Sequence, residues 1–355
     1  MHLSDIVSAI QPVDQEWIAK ARKKTAQLVM PARALGRLHE ISERLCGIQQ
    51  TLQPSIERKA VLVMAGDHGI AGEGVSAYPQ EVTGAMVKTF LAGGAGINAI
   101  SRHVGADVLV VDVGTMTDFD TTNMPGRERL LVRKVARGTA SFIRGPAMSL
   151  REAEQSILYG FQAAAELFQD GVEIIGTGDM GIGNTTPSAA IGTVICKVGP
   201  AEMVGRGTGV DEEGLVRKRD AVCRGIEVNH PKPDDGLDIL SKVGGFEIGG
   251  IAGIALAGAF HGRPVMIDGF ISTAGALIAD LLCPRVKDYL FAGHCSAEHG
   301  HRHMLNHLNL NPILDLGMRL GEGTGGALAM SIVDGALKVF REVMTFEEAG
   351  VAGKE

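Results

Sequence analysis

Five apolar runs of strand length punctuate this chain, and each ends in glycine or an acidic residue before a helix-like segment begins. Ala60-Val61-Leu62-Val63-Met64-Ala65 leads into Gly66-Asp67-His68-Gly69, and Val108-Leu109-Val110-Val111 into Asp112-Val113-Gly114. Val172-Glu173-Ile174-Ile175 leads into Gly176-Thr177-Gly178, Pro264-Val265-Met266-Ile267 into Asp268-Gly269, and Tyr289-Leu290-Phe291-Ala292 into Gly293-His294. Strands that are apolar throughout, rather than at every second position, are covered on both faces. Their alternation with helices predicts an α/β fold with a doubly wound, mainly parallel, Rossmann-like sheet. In such sheets ligands bind at the carboxyl ends of the strands.

Glycine accounts for 48 of 355 residues, roughly twice the usual share. No three-residue period accompanies it, which excludes collagen. Aromatic residues are only 4%, so the core must be built from Ala, Val, Ile, Leu and Met. Lys and Arg (34) are outnumbered by Asp and Glu (41), and no basic patch stands out, so nucleic acid is not an expected partner. Five cysteines occur singly with no CxxC, which argues against a disulfide framework or structural zinc and for free thiols in a reducing cytoplasm. The first residues show no basic-then-apolar signal pattern. The most apolar stretch, residues 248–260, is too short for a bilayer, so no membrane association is expected.

The ends of the chain read differently from its middle. Pro12 breaks an opening amphipathic stretch; residues 14–29, with Asp14 near the cap, and residues 34–50 then carry helical patterns. The tail begins as an Ala/Leu-rich helix and is expected to return to these helices. The expected organisation is a small helical subdomain from residues 1–55 plus 330–355 and a large α/β catalytic domain over 56–329. Glycines within the helical segments near 248–255 and 274–279 cost about 1 kcal/mol each in a helix interior, so they imply close packing, within the chain or across a homodimer interface.

Three glycine-rich loops can carry chemistry. Gly176-Thr177-Gly178-Asp179-Met180-Gly181-Ile182-Gly183-Asn184-Thr185-Thr186-Pro187 follows a strand and opens a helix, where free N–H groups suit a phosphate. Asn184, Thr185 and Thr186 are all good N-caps. The string also matches GxGxxG, which leaves open a nicotinamide-dinucleotide oxidoreductase with Glu202 as its acidic residue. Gly205-Arg206-Gly207-Thr208-Gly209 precedes a helix bearing Arg217, Lys218 and Arg219, a second anion-suited loop. In Leu320-Gly321-Glu322-Gly323-Thr324-Gly325, a glutamate between two glycines is a candidate general base. The histidine-rich stretch 294–303 fits no zinc spacing, so no metal is expected, and Cys295 has no base partner that sequence can name.

Taken in order, these segments resemble the nicotinate-nucleotide:dimethylbenzimidazole phosphoribosyltransferases of cobalamin biosynthesis, over almost the whole chain. The resemblance rests on Gly66-Asp67-His68-Gly69, on VSAYPQEV at 75–82, on MGIGNTTP at 180–187, on Gly205-Arg206-Gly207-Thr208-Gly209, on Asp268-Gly269-Phe270, on Ser296-Ala297-Glu298 and on the loop around Glu322. It implies a cofactor-free enzyme whose partners are nicotinate mononucleotide and 5,6-dimethylbenzimidazole. It implies Glu322 as catalytic base, with Asp179 standing where the family usually has glutamate. Gly181, Gly183, Asn184, Thr185, Gly207 and Lys218 would hold the nucleotide and its phosphate, with Asp268 and Ser296 as further ligand contacts. Ser76, Gln80 and Leu320 would line the aromatic-base pocket. Met30-Pro31-Ala32-Arg33-Ala34-Leu35-Gly36 departs from the Lys-Pro-x-Gly-Ser-Leu-Gly that the family often shows. A non-catalytic nucleotide-binding relative is the remaining alternative, and the presence of Glu322 argues against it.

Overall fold

In a computed structural model, which describes residues 2–120, 122 and 124–352, the five apolar runs become strands of one sheet. They are β1 (Lys59–Gly66), β2 (Ala106–Gly114), β4 (Ile174–Met180), β5 (Val265–Ile267) and β6 (Leu290–Ala292); a short edge strand, β3 (Leu130–Val132), joins them. Every pairing is parallel and the order is β3-β2-β1-β4-β5-β6. The chain therefore builds outward from β1 through β2 to β3, then returns to the other side of β1 with β4. The crevice between the carboxyl ends of β1 and β4 is the topological switch point, where open α/β sheets take their ligands.

Helices cover both faces. Leu150–Gln169, Phe246–His261 and Phe270–Leu282 form one group; Val82–Leu91, Gly96–Val104 and Thr324–Glu342 form the other. All eight β1 residues are buried, as expected of a strand covered twice. The glycine-rich helices are spent on packing inside the chain. A β-carbon at Gly253 would collide with the Ile157 carbonyl of the neighbouring helix, and one at Gly160 with the Gly250 carbonyl. They therefore lend no argument for a second copy.

At the amino end the helices are Leu3–Ala9, Gln15–Thr25 and Arg37–Gln49. Asp14 Oδ1 accepts from the N–H groups of Glu16 and Trp17, a working N-cap. The second helix stops at Thr25, short of the expected 29, because the next residues pair with the tail: Val29 N–H donates to Met344 O, and Phe346 N–H to Gln27 O. Arg44 ties these helices to the sheet. Its guanidinium donates to the carbonyls of Lys287, Asp288 and Leu290 and lies 4.5 Å from the centre of the Phe291 ring on β6.

Candidate active site

Glu322 lies at the open end of the sheet on a turn whose three residues all have positive φ: Gly321 at 79°, Glu322 at 62° and Gly323 at 91°. Glycine adopts that region freely, whereas a side chain there is strained. The surroundings enforce it. Gly323 N–H donates to Asp268 Oδ2 (3.2 Å) and Gly326 N–H to Asp268 Oδ1 (2.8 Å), while Thr324 Oγ1 donates to Gly321 O (2.8 Å). The Glu322 carbonyl packs on Gly178 of β4, where a β-carbon would come within 2.6 Å of it. The Asp268 oxygens thus accept from one amide of the turn and from one in the first turn of the helix that follows it. The sequence expectation made Asp268 a ligand contact; in the structure its oxygens also anchor the Glu322 turn.

The Glu322 side chain is 7% exposed, and its Oε2 accepts from Ile97 N–H at 3.1 Å. That amide belongs to the first turn of Gly96–Val104, so the helix that meets the carboxylate is not the one that follows it in sequence. Burial pushes the Glu322 pKa up, the Ile97 amide pulls it down, and the charge of Asp268 pushes it up again; burial prevails and the net shift is upward. Gly96 opens space here: a β-carbon at that position would stand 2.8 Å from Leu320 Cδ2 and 3.3 Å from Glu322 Oε2.

Asp179, at the end of β4, faces Gly321 and accepts from Asn184 Nδ2 at 3.0 Å. Its pKa is pushed up to about 8, by burial first and then by Asp268, with Glu247 and Glu322 adding to it against the Asn184 hydrogen bond. Asp179 therefore holds its proton to higher pH than an ordinary carboxyl. Beneath it, His68 Nε2 lies 2.8 Å from Glu247 Oε1 in a fully buried pair. Burial alone would lower the His68 pKa; Glu247 outweighs it and the net shift is upward.

The loop from Gly181 to Asn184 then enters the helix Thr185–Cys196. Asn184 occupies the N-cap position, yet its side chain goes to Asp179, and no side chain caps this helix. Ile182 N–H is taken by Thr83 Oγ1 (3.1 Å), and Gly183 turns at φ 90°. Beside the helix start stands Lys218, 1% exposed, its Nζ donating to Thr185 Oγ1 at 2.7 Å and pressed against Gly207. Burial lowers its pKa to about 8 against the pull of Glu298. Among the described residues no carboxylate oxygen lies within 4.0 Å of this ammonium. A buried cation with one hydroxyl partner, next to an uncapped helix start, suits an anionic ligand.

Between the two ends Gly321 faces Asp179, Asp179 accepts from Asn184, and Thr185, next in the chain, accepts from Lys218. Ser296, after β6, accepts from Glu298 N–H through Oγ (3.2 Å). Ser76 Oγ lies 3.3 Å from Thr208 Oγ1, closing residues 74–80 onto the Gly207 loop, and Gln80 reaches the His68 carbonyl at 3.5 Å. Leu320 is 60% exposed beside Glu322, an apolar surface with no cover. A cleft of about 440 Å³ lined by Arg206, Arg219, Glu298 and Arg319 adjoins the Gly207 loop. A larger groove, about 830 Å³, lies between residues 26–32 and 345–352 and holds none of these groups. Cys295 is buried, which raises its thiol pKa and makes it a poor nucleophile.

The dinucleotide reading does not survive the geometry. Gly176 and Gly178 lie inside β4, not in a turn after it, and Glu202 sits exposed on the short helix Pro200–Met203 rather than at a strand end. The fingerprint needs its glycines in the strand-to-helix turn.

A family model described as phosphoribosyltransferase matches residues 10–351. The chain is 50% identical over 350 residues to a nicotinate-nucleotide–dimethylbenzimidazole phosphoribosyltransferase of Geobacter sulfurreducens, covering 99% of this chain and 98% of that protein. It is 51% identical over 353 residues to the protein of the same name from Geotalea uraniireducens, covering 99% of each. Among solved structures, CobT from Thermus thermophilus matches with a TM-score of 0.90 at 47% identity, over 96% of this chain and 100% of that one.

Proposed function

Because the chain belongs to the nicotinate-nucleotide–dimethylbenzimidazole phosphoribosyltransferase family, we propose that it moves the 5-phosphoribosyl group of nicotinate mononucleotide onto 5,6-dimethylbenzimidazole. The products are α-ribazole 5′-phosphate and nicotinate, for the nucleotide loop of cobalamin. The observation that carries this reading is a buried carboxylate, Glu322, whose turn packs on Gly178 of β4, together with a buried ammonium, Lys218, on Thr185 at the start of the helix that follows β4.

The chemistry fits these groups. One benzimidazole nitrogen attacks C1′, the C1′–nicotinate bond breaks, and its electron pair stays on the pyridine nitrogen, which leaves neutral. No general acid is required. The proton on the other benzimidazole nitrogen passes to the free oxygen of Glu322 while Ile97 N–H holds its partner oxygen. Attack opposite nicotinate converts a β-linkage to an α-linkage. The raised pKa of Asp179 spares Glu322 much of a second adjacent negative charge, so Glu322 remains the proton acceptor. Lys218, Gly207, Thr185, Asn184 and the amides of Gly181 and Gly183 hold the phosphoribosyl end, and Ser296 offers its hydroxyl proton there. Leu320, Ser76 and Gln80 line the base pocket. Fixing both rings about C1′ is catalysis by orientation.

Residues 1–55 with 330–355 are read as a helical subdomain on the catalytic domain 56–329, the two joined through the helix Thr324–Glu342, which crosses residue 330 and also covers the sheet; residues 1 and 353–355 lie outside the described residues. The protein works in the cytoplasm as a homodimer. Five unpaired cysteines support the first, and exposed Met344 and Val351 near the 26–32/345–352 groove support the second. Among the described residues no helix is long and apolar enough to cross a membrane.

Incubation with nicotinate mononucleotide and a panel of bases tests the activity. Free nicotinate and a phosphoribosylated base are expected in equal amounts. Absence of nicotinate release with every base would reject it.

A further inference from the structure

The loop after β6 is stitched to residues 313–318 on one side only. Cys295 N–H donates to Leu314 O (2.7 Å) and Ala297 N–H to Met318 O (2.9 Å). The amide between them, that of Ser296, faces the other way and donates to His301 Nδ1 at 2.8 Å. The opposite ring nitrogen, Nε2, lies 2.8 Å from Thr273 Oγ1. Thr273 has one hydroxyl proton, and its Oγ1 donates that proton to Gly269 O at 2.7 Å. The Thr273–His301 bond must therefore be donated by the ring. This fixes one tautomer: a proton on Nε2 and a lone pair on Nδ1 facing Ser296.

We propose that His301, locked in the Nε2–H tautomer by Thr273, is the positioning residue that holds Ser296 to the phosphoribosyl donor. The proposal rests on the reading of Ser296 as a donor contact. Ser296 Oγ already accepts from Glu298 N–H, so its own proton is the one left for a ligand oxygen. Its direction depends on the backbone at Ser296, and the bond to His301 fixes that backbone. Ser296 and His301 are both buried, so water does not replace a lost partner, and a buried amide without one shifts until it finds another. The ring cannot take a second proton without giving up Ser296. Consistently, its pKa is pushed down to about 3 by burial, then by His294 and Arg302. Through Thr273 and Gly269 the same ring braces the β5 end, where Asp268 holds the Glu322 turn.

Two amide substitutions separate positioning from bulk structure. In His301→Asn, Oδ1 stands where Nδ1 stood and can still accept from Ser296. In His301→Gln, the amide reaches Thr273 but leaves Ser296 unpaired. For nicotinate mononucleotide, His301→Gln should raise KM and Kd about tenfold, the worth of one buried hydrogen bond, with kcat within about threefold of wild type. His301→Asn should stay within about twofold in all three. Equal effects of the two variants would overturn the proposal. Ser296→Ala is the control for the underlying reading: unchanged KM there removes Ser296 from the site and the proposal with it. A raised KM in Ser296→Ala with a normal His301→Gln removes the positioning role alone. Should the variants not fold, ring-nitrogen NMR of the wild-type protein decides. An unprotonated Nδ1 with protonated Nε2, constant from pH 5 to 8, is expected; the other tautomer, or titration near the ordinary histidine value, would overturn it.

Discussion

Glu322 occupies a conformation that costs a residue with a β-carbon roughly 1–2 kcal/mol, and Asp268 and Gly178 keep it there. The sequence already marked this glutamate, because a carboxylate between two glycines has no packing purpose. The role of Asp268 was not legible: it acts on amides 55 and 58 positions further along, a relation no local pattern encodes. Asp179 carries a prediction with a sign. Its folded pKa, about 8, lies above the ordinary aspartate value of about 3.9, so its contribution to stability is full below pH 4 and lost as pH rises through 8. Asp179→Asn, which can still accept from Asn184, should therefore gain melting temperature over wild type at pH 8.5 by more than at pH 5; an equal or opposite difference would refute the raised pKa. Lys218 behaves in the complementary way. With a folded pKa of about 8 against 10.5, the free enzyme loses its ammonium above pH 8, and the KM for nicotinate mononucleotide should climb between pH 7 and 9. Lys218→Ala should raise that KM by roughly 10- to 100-fold at pH 7, the value of a charged hydrogen bond, and flatten its pH dependence. A KM that does not move would make Lys218 a structural lysine.

At the scale of elements, the strands could be read because each is apolar along its whole length, and β1 is buried at every residue. β3 escaped notice: three residues at the sheet edge, with Val132 54% exposed, leave too short a pattern. The end of the second helix was misplaced by four residues because Gln27 and Val29 pair with Phe346 and Met344, partners more than 300 positions away. One close approach that matters for chemistry is between β4 and the Glu322 turn. Gly178→Ala would drive a methyl group against the Glu322 carbonyl. We expect a stability loss of about 1–3 kcal/mol in urea unfolding, as for other overpacked sites. The accompanying fall in kcat should exceed tenfold, because roughly 1 Å of misplacement costs far more in rate than in stability. A variant with normal kcat would show that the turn can move freely.

For the whole molecule, the sequence signalled a parallel α/β sheet, and the strand order followed only from contacts between distant segments. That order places the carboxyl ends of β1 and β4 side by side, and so brings the 181–185 loop, the 320–324 turn and Lys218 to one crevice. Arg44 is one of the groups that fasten the amino-terminal helices to this frame, with Arg37, Arg285 and Tyr289. Arg44→Ala would orphan the carbonyls of Lys287 and Leu290, and should cost about 2–4 kcal/mol by denaturant unfolding while leaving the KM for nicotinate mononucleotide unchanged. A coupled loss of binding would mean that the helical ends shape the site itself. The claim on which the rest depends is proton removal by Glu322. The decisive measurement is kcat for Glu322→Gln with nicotinate mononucleotide and dimethylbenzimidazole, alongside the Kd of the mononucleotide. The expected result is a fall in kcat of about 10²- to 10⁴-fold with Kd unaltered; turnover close to that of the wild-type protein would contradict it.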